Sequence, residues 1–138
     1  MTMKKNRKLM VPVILISNLL IYAGGCTAVV LEAGNQAYSH LRGDLLGIVP
    51  DKLPDSYEAS IMAMGDLSDF HIAEKNLNTI NGHIVAYDKE ARKVLIDLFR
   101  TEHDQTRIQI RIGLAGDKLE SVMIYDHITK HLPSNRSV

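Results

Sequence analysis

The chain has 138 residues, and its 16 basic and 16 acidic side chains balance to a net charge of zero. Four of the basic residues and none of the acidic ones precede Cys26, so residues 26–138 carry 12 against 16, a net charge of −4. A mildly acidic domain with no Trp and only two Phe lacks both the basic footprint of a nucleic-acid binder and the aromatic platforms that hold single strands or sugars.

Lys4, Lys5, Arg7 and Lys8 form a positive head, and Leu9 to Tyr22 follow as an uncharged run of 14 residues. Ala23-Gly24-Gly25 is a small-residue zone ending at Cys26, the only cysteine. Head, apolar run and small-residue zone are the three parts of a secretory signal. The run is shorter than the roughly 20 residues a bilayer span needs, and Pro12 and Asn18 weaken it as a helix, so cleavage is expected rather than retention. A lone cysteine in an exported chain has no internal disulfide partner and is free, intermolecular or modified. The segment resembles a bacterial lipoprotein signal, in which a small residue precedes a cysteine that receives diacylglycerol. That resemblance implies residues 1–25 as the signal peptide and Cys26 as the lipid attachment site, with palmitate-type acyl chains. Because Thr27 rather than Asp follows, it also implies the periplasmic side of the outer membrane. The alternative is an incidental thiol beside an ordinary cleavage site. Two or more acyl chains hold a protein stably on a bilayer where one does so only marginally.

Residues 26–37 are small and mixed, and are expected to be the lipidated N-terminus and a linker. Tyr38 to Val49 carries apolar residues around Gly43 and Gly47 and predicts one strand, kinked or bulged at a glycine. Asp51 to Leu67 predicts a helix: Pro54 suits the first turn, and Leu53, Tyr57, Ile61, Met64 and Ser68 recur at helical spacing as one stripe. Four strands follow. Phe70, Ile72 and Glu74 alternate with His71, Ala73 and Lys75, then come a polar link at Asn76 to Gly82, a strand at Ile84 to Tyr87, and a turn at Asp88 to Arg92. Val94, Ile96 and Leu98 alternate with Leu95, Asp97 and Phe99. Ile108, Ile110 and Ile112 alternate with Arg107, Gln109 and Arg111, a strand with one face buried and one wet. Asp117 predicts the cap of a last helix to His131, with Glu120 three residues on and Leu119, Val122, Met123 and Ile128 as its inward stripe. Residues 133–138 are expected to be a loose tail.

Strands joined by short turns pair antiparallel, and two amphipathic helices can cover one face of their sheet. The expected fold is therefore α+β: a two-layer sandwich of a mostly antiparallel sheet with two helices on one face, in the order β-α-β-β-β-β-α over residues 38–132.

The layout and motifs resemble a family of short bacterial lipoproteins known as a domain of unknown function. The residues that carry the resemblance are Gly25-Cys26, Tyr38 with Gly43-Asp44-Leu45, Pro50, Gly82-His83-Ile84-Val85-Ala86 and His131-Leu132. It is also similar, as fold analogy alone, to the helix-grip domains of a lipoprotein subunit of the outer-membrane barrel assembly machinery. The family resemblance implies no catalytic residues.

No chemistry emerges from the residues themselves. His127 and His131 are one helical turn apart beside Asp126, the spacing of zinc ligands, but no Glu lies between them and no third ligand is evident. Histidines near a helix C-terminus interact favourably with its dipole without a metal. His71 and His83 lie on neighbouring strands, where they could approach each other, and His103 lies in a turn; exposed strand and turn histidines are the ordinary explanation for all three. Ser56, Ser60, Ser68 and Ser121 lack a nucleophile-elbow frame. Gly43, Gly47, Gly113 and Gly116 are too scattered for a phosphate loop, and Asp66, Asp69, Asp97 and Asp104 read as solvated turns and faces. The expectation is no enzyme, no cofactor and no metal. If Val94, Ile96 and Leu98 face the helices, then Leu95, Phe99, Val85 and Tyr87 face away and form an apolar patch, a mark of a partner surface unless linker, tail or another register covers it. The sequence thus predicts a membrane-anchored envelope domain that docks a protein partner or itself and binds no nucleic acid. The alternative is a small-ligand or metal-binding lipoprotein.

Overall fold

A computed structural model describes residues 30–33 and 36–136. The signal segment 1–25, Cys26 and part of the 26–37 segment lie outside the described residues, as do residues 137 and 138.

Alternation of apolar and polar residues produces the strands, and turn chemistry sets their ends. The elements are β1 (Val30–Ala33), β2 (Gln36–Leu41), β3 (Asp44–Val49), α1 (Leu53–Asp66), β4 (Phe70–Leu77), β5 (Asn81–Asp88), β6 (Lys93–Arg100), β7 (Thr106–Ile112), α2 (Lys118–His131) and the short α3 (Pro133–Arg136). The strands form one antiparallel sheet in the order β1-β2-β3-β7-β6-β5-β4. Three hairpins are opened by a side-chain oxygen that satisfies turn amides, as Asn, Asp and Thr do. Asn78 Oδ1 accepts from the Ile80 and Asn81 N–H, both at 2.9 Å. Asp88 Oδ1 accepts from the Glu90 and Arg92 N–H, both at 2.8 Å. Thr101 Oγ1 accepts from the Gln105 N–H at 3.2 Å.

Both helices lie on one face, α1 over β4, β5 and β6, and α2 over β3 and β7. Between them and the sheet sit Leu45, Val49, Ile84, Ala86, Val94, Ile96, Leu98, Ile108, Ile110 and Ile112, all buried. The expected α+β two-layer architecture is the observed one. It differs at the start, where Tyr38 to Val49 is a hairpin of β2 and β3 rather than one kinked strand. Arg42 and Gly43 both have positive φ, 53° and 87°, as a two-residue turn of type I′ demands. The expected linker contains β1 and the first residues of β2.

Other expectations shift by local causes. β4 has a bulge between Ile72 and Glu74 that breaks the anticipated alternation. In α1 the buried face is Leu53, Ser56, Tyr57, Ala59, Ser60, Ala63 and Met64. Small residues carry much of it, Ser60 Oγ is satisfied by the Ser56 carbonyl at 2.8 Å, and Ser68 lies beyond the helix. The inward stripe of α2 is Ser121, Ile124, Tyr125 and Ile128, while Leu119 is exposed and Met123 largely so. A stripe through Leu119 and Met123 would continue into Asp126, His127 and Lys130 and cannot be buried; the observed one runs from Ser121, whose hydroxyl is satisfied by the Asp117 carbonyl, through apolar residues to Leu132. The tail is docked as far as Arg136: Asp51 accepts from the Ser134 N–H at 3.0 Å and from its hydroxyl at 2.5 Å.

Candidate interaction face

The sheet face turned away from the helices is built from the alternate positions of the same strands. Register places its residues in cross-strand rows: Asn81, Phe99, Arg107 and Ile48 in one, Asn76, His83, Asp97, Gln109 and Leu46 in the next, and Glu74, Val85, Leu95 and Arg111 beyond it. Leu95, Phe99, Val85 and Tyr87 all lie on this outer side, as expected from alternation, and none belongs to the helix-facing core. Val85 is 4% exposed; Leu95, Phe99 and Tyr87 are half-buried.

Polar neighbours partly cover these side chains. The Arg107 guanidinium lies 4.7 Å from the centre of the Phe99 ring, a cation–π arrangement that also shields the ring's face. His71 stacks on Tyr87, its cross-strand partner, with ring centres 6.0 Å apart. His83 is paired with Asp97, Nδ1 to Oδ1 at 2.5 Å. His71 and His83 therefore do not meet: His71 pairs with Tyr87, whereas His83 pairs with Asn76, five positions from His71 along β4. Beside Leu95, Arg111 Nε approaches Asp44 Oδ1 at 2.5 Å, and Gln109 Nε2 donates to Asp44 Oδ2 at 2.9 Å. Hydrogen bonding to and the charge of Asp44 raise the pKa of Arg111 further. The outer face thus has half-buried apolar side chains set between polar and ionic pairs.

The last helix brings no metal ligands together. His127 Nδ1 donates to the Met123 carbonyl at 2.9 Å, whereas His131 Nε2 reaches Asp66 on α1 at 2.6 Å. Among the described residues no group of three or more His, Cys, Asp or Glu is placed to hold a metal ion. The remaining singled-out carboxylates have cationic neighbours: Asp69 pairs with Lys89, and Asp104 with Lys52 at 3.5 Å and Arg100 at 3.0 Å. Cys26 lies outside the described residues. No described helix is long and apolar enough to cross a membrane.

Sequence reasoning missed a second feature, centred on Arg92 in the β5–β6 turn. Its guanidinium donates to Asp88 Oδ2 at 2.7 Å and to both oxygens of Glu120 at 2.8 Å, and reaches Asp117 Oδ2 at 3.3 Å. Asp117 Oδ1 meanwhile accepts from the Glu120 N–H at 3.1 Å as the cap of α2. The anticipated capping box is thus half formed, because Arg92 takes the Glu120 carboxylate. For Asp88, burial acts to raise the pKa, but the Arg92 and Glu90 amides and the Arg92 guanidinium outweigh it and hold the carboxyl below its ordinary value. Asp117 and Glu120 stand out in the sequence as a cap; nothing there pairs them with an arginine 25 and 28 residues earlier.

No curated protein matches the chain. A family model does match, from residue 8 to residue 131, and on a match of that length the chain belongs to the family described as Protein of unknown function (DUF3568).

Proposed function

We propose that this protein is a non-enzymatic domain held to the cell envelope by lipid on Cys26, facing the periplasm and docking a protein partner through the outer face of its sheet. The observation that carries the reading is the order of the first 26 residues: four cations, 14 uncharged residues, two glycines and the sole cysteine. The family match begins at Lys8, the last charge of the basic head, so the apolar run, Cys26 and the domain are matched together. Docking is supported by the half-buried Leu95 and Phe99, with the exposed Ile48 on the same face. Partially covered apolar side chains rimmed by ion pairs suit a contact that forms and dissociates.

Two substitutions test the two halves. Cys26→Ser is expected to abolish labelling by radioactive palmitate and release the domain from the membrane pellet; continued labelling refutes the anchor. Leu95→Asp with Phe99→Asp is expected to abolish crosslinks to the partner while leaving the domain folded and anchored. Unchanged crosslinks from a folded double variant refute the docking face.

A further inference from the structure

The direction of β1 determines where an anchor would pull. Val30 pairs with Ser39 and Ala33 with Gln36, so β1 starts at the end of β2 that leads into the Arg42–Gly43 turn. The same end of the sheet holds the loop after β7 and the start of α2, because Leu45 pairs with Ile110 and Val94 with Ile112. The two loops touch: a Cβ on Gly116, at φ +82°, would strike the Gly43 backbone. Three large apolar side chains project there, Leu114 at 99% exposure, Leu119 at 82% and Leu41 at 58%. At the far end, among the described residues, Ile80 is 66% exposed, Ile48 53% and Leu77 40%, so the barest apolar side chains, Leu114 and Leu119, are at the β1 end.

We propose that this end, carrying Leu41, Leu114 and Leu119, lies against the bilayer that receives the Cys26 lipid. The inference rests on the anchoring proposed above and adds an orientation to it. Three residues separate Cys26 from Val30, so a fully extended tether spans at most about 14 Å. The lipid-bearing residue sits at headgroup level, and a tether that short keeps the start of β1 close to it. Membrane contact by apolar side chains scales with the area they bury, and tethering makes their insertion an intramolecular event, so a small area suffices. Charge contributes less. Arg42, Lys93 and Lys118 form no ion pair among the described residues, but the four carboxylates that share Arg92 (Asp88, Glu90, Asp117 and Glu120) carry an excess of negative charge that offsets those three cations. The leucines carry the contact. The strands then run along the membrane normal, and the outer sheet face points sideways into the periplasm, open to a partner.

The test uses the full chain purified from membranes and placed in vesicles of phosphatidylethanolamine and phosphatidylglycerol. Leu114→Cys, Leu119→Cys and, as the far-end control, His103→Cys each supply one free thiol for an environment-sensitive fluorophore, since a lipidated Cys26 does not react. Intact mass is read on the same samples. Expected are a blue-shifted emission and loss of intensity to shallow nitroxide-labelled lipids at 114 and 119, with neither at 103. A lipid-bearing mass with water-like, unquenched emission at 114 and 119 overturns the orientation and leaves the anchor standing. A blue shift without quenching assigns these leucines to a protein contact and also overturns it. An unmodified Cys26 overturns the anchor and the orientation together.

Discussion

Tyr125 occupies its place because Gly47 has no side chain. A Cβ on Gly47 would lie 2.5 Å from the ring and hydroxyl of Tyr125, and the ring packs edge-on against Tyr38 with centres 5.6 Å apart. Gly47→Ala is therefore expected to overpack this contact and cost about 1–3 kcal/mol in denaturant unfolding; an unchanged midpoint would show that α2 sits elsewhere. The Tyr125 hydroxyl is buried and has no hydrogen-bond partner among the described residues. Burial first, and Asp126 second, push its pKa up to about 12. Because an unsatisfied buried hydroxyl costs free energy, Tyr125→Phe is expected to raise stability by about 1 kcal/mol. A loss of that size would reveal a partner for the hydroxyl. His40 shares the aromatic cluster, 5.8 Å from Tyr38, and burial followed by the Lys118 charge holds its pKa below the ordinary imidazole value. With the folded value lowered, the contribution of His40 is complete above the unfolded pKa and is lost as the pH falls through the folded one.

Among elements, the Arg92 cluster ties the β5–β6 turn to the first turn of α2. A planar guanidinium can serve several carboxylates at once, whereas an ammonium cannot match that geometry. Arg92→Ala and Arg92→Lys should therefore both lower the melting temperature, with lysine restoring little; full rescue by lysine would reduce the cluster to simple charge. Asp88 adds a pH dependence. Its folded pKa is lowered, so its contribution is present above the usual carboxylate range and lost as acid protonates it through the lower folded value. Asp88→Asn should flatten the acid limb of the stability–pH curve, and an unchanged limb contradicts the assignment.

The strands were legible because their signal is local: Ile108, Ile110 and Ile112 alternate with polar residues, and all three are buried. The β2–β3 hairpin was not. Its turn is Arg42-Gly43 instead of the Asn-Gly or Asp-Gly that announces type I′, and arginine seldom adopts positive φ. The face of α2 was misread because Tyr125 is buried only by virtue of Gly47, more than 70 positions away in sequence. Similarly, the outward side of Leu95 and Phe99 followed from alternation, but the shielding of Phe99 by Arg107 depends on how β6 and β7 pair.

At the scale of the whole molecule, the proposed anchor at Cys26 is separated by three residues from a sheet with one covered face and one open face. The helices cover one side; the other presents apolar side chains between ion pairs, and the sheet end where β1 begins carries the barest leucines. These features belong to the fold itself; what rests on Cys26 being the first residue of the mature chain is the proposed anchoring and orientation. The most direct test is the intact mass of the full-length gene product recovered from membranes, with sequencing of its N-terminal peptide. The account predicts a chain beginning at Cys26 with diacylglycerol and further acyl mass on that residue. A chain retaining residues 1–25, or beginning at an unmodified Cys26, would contradict it.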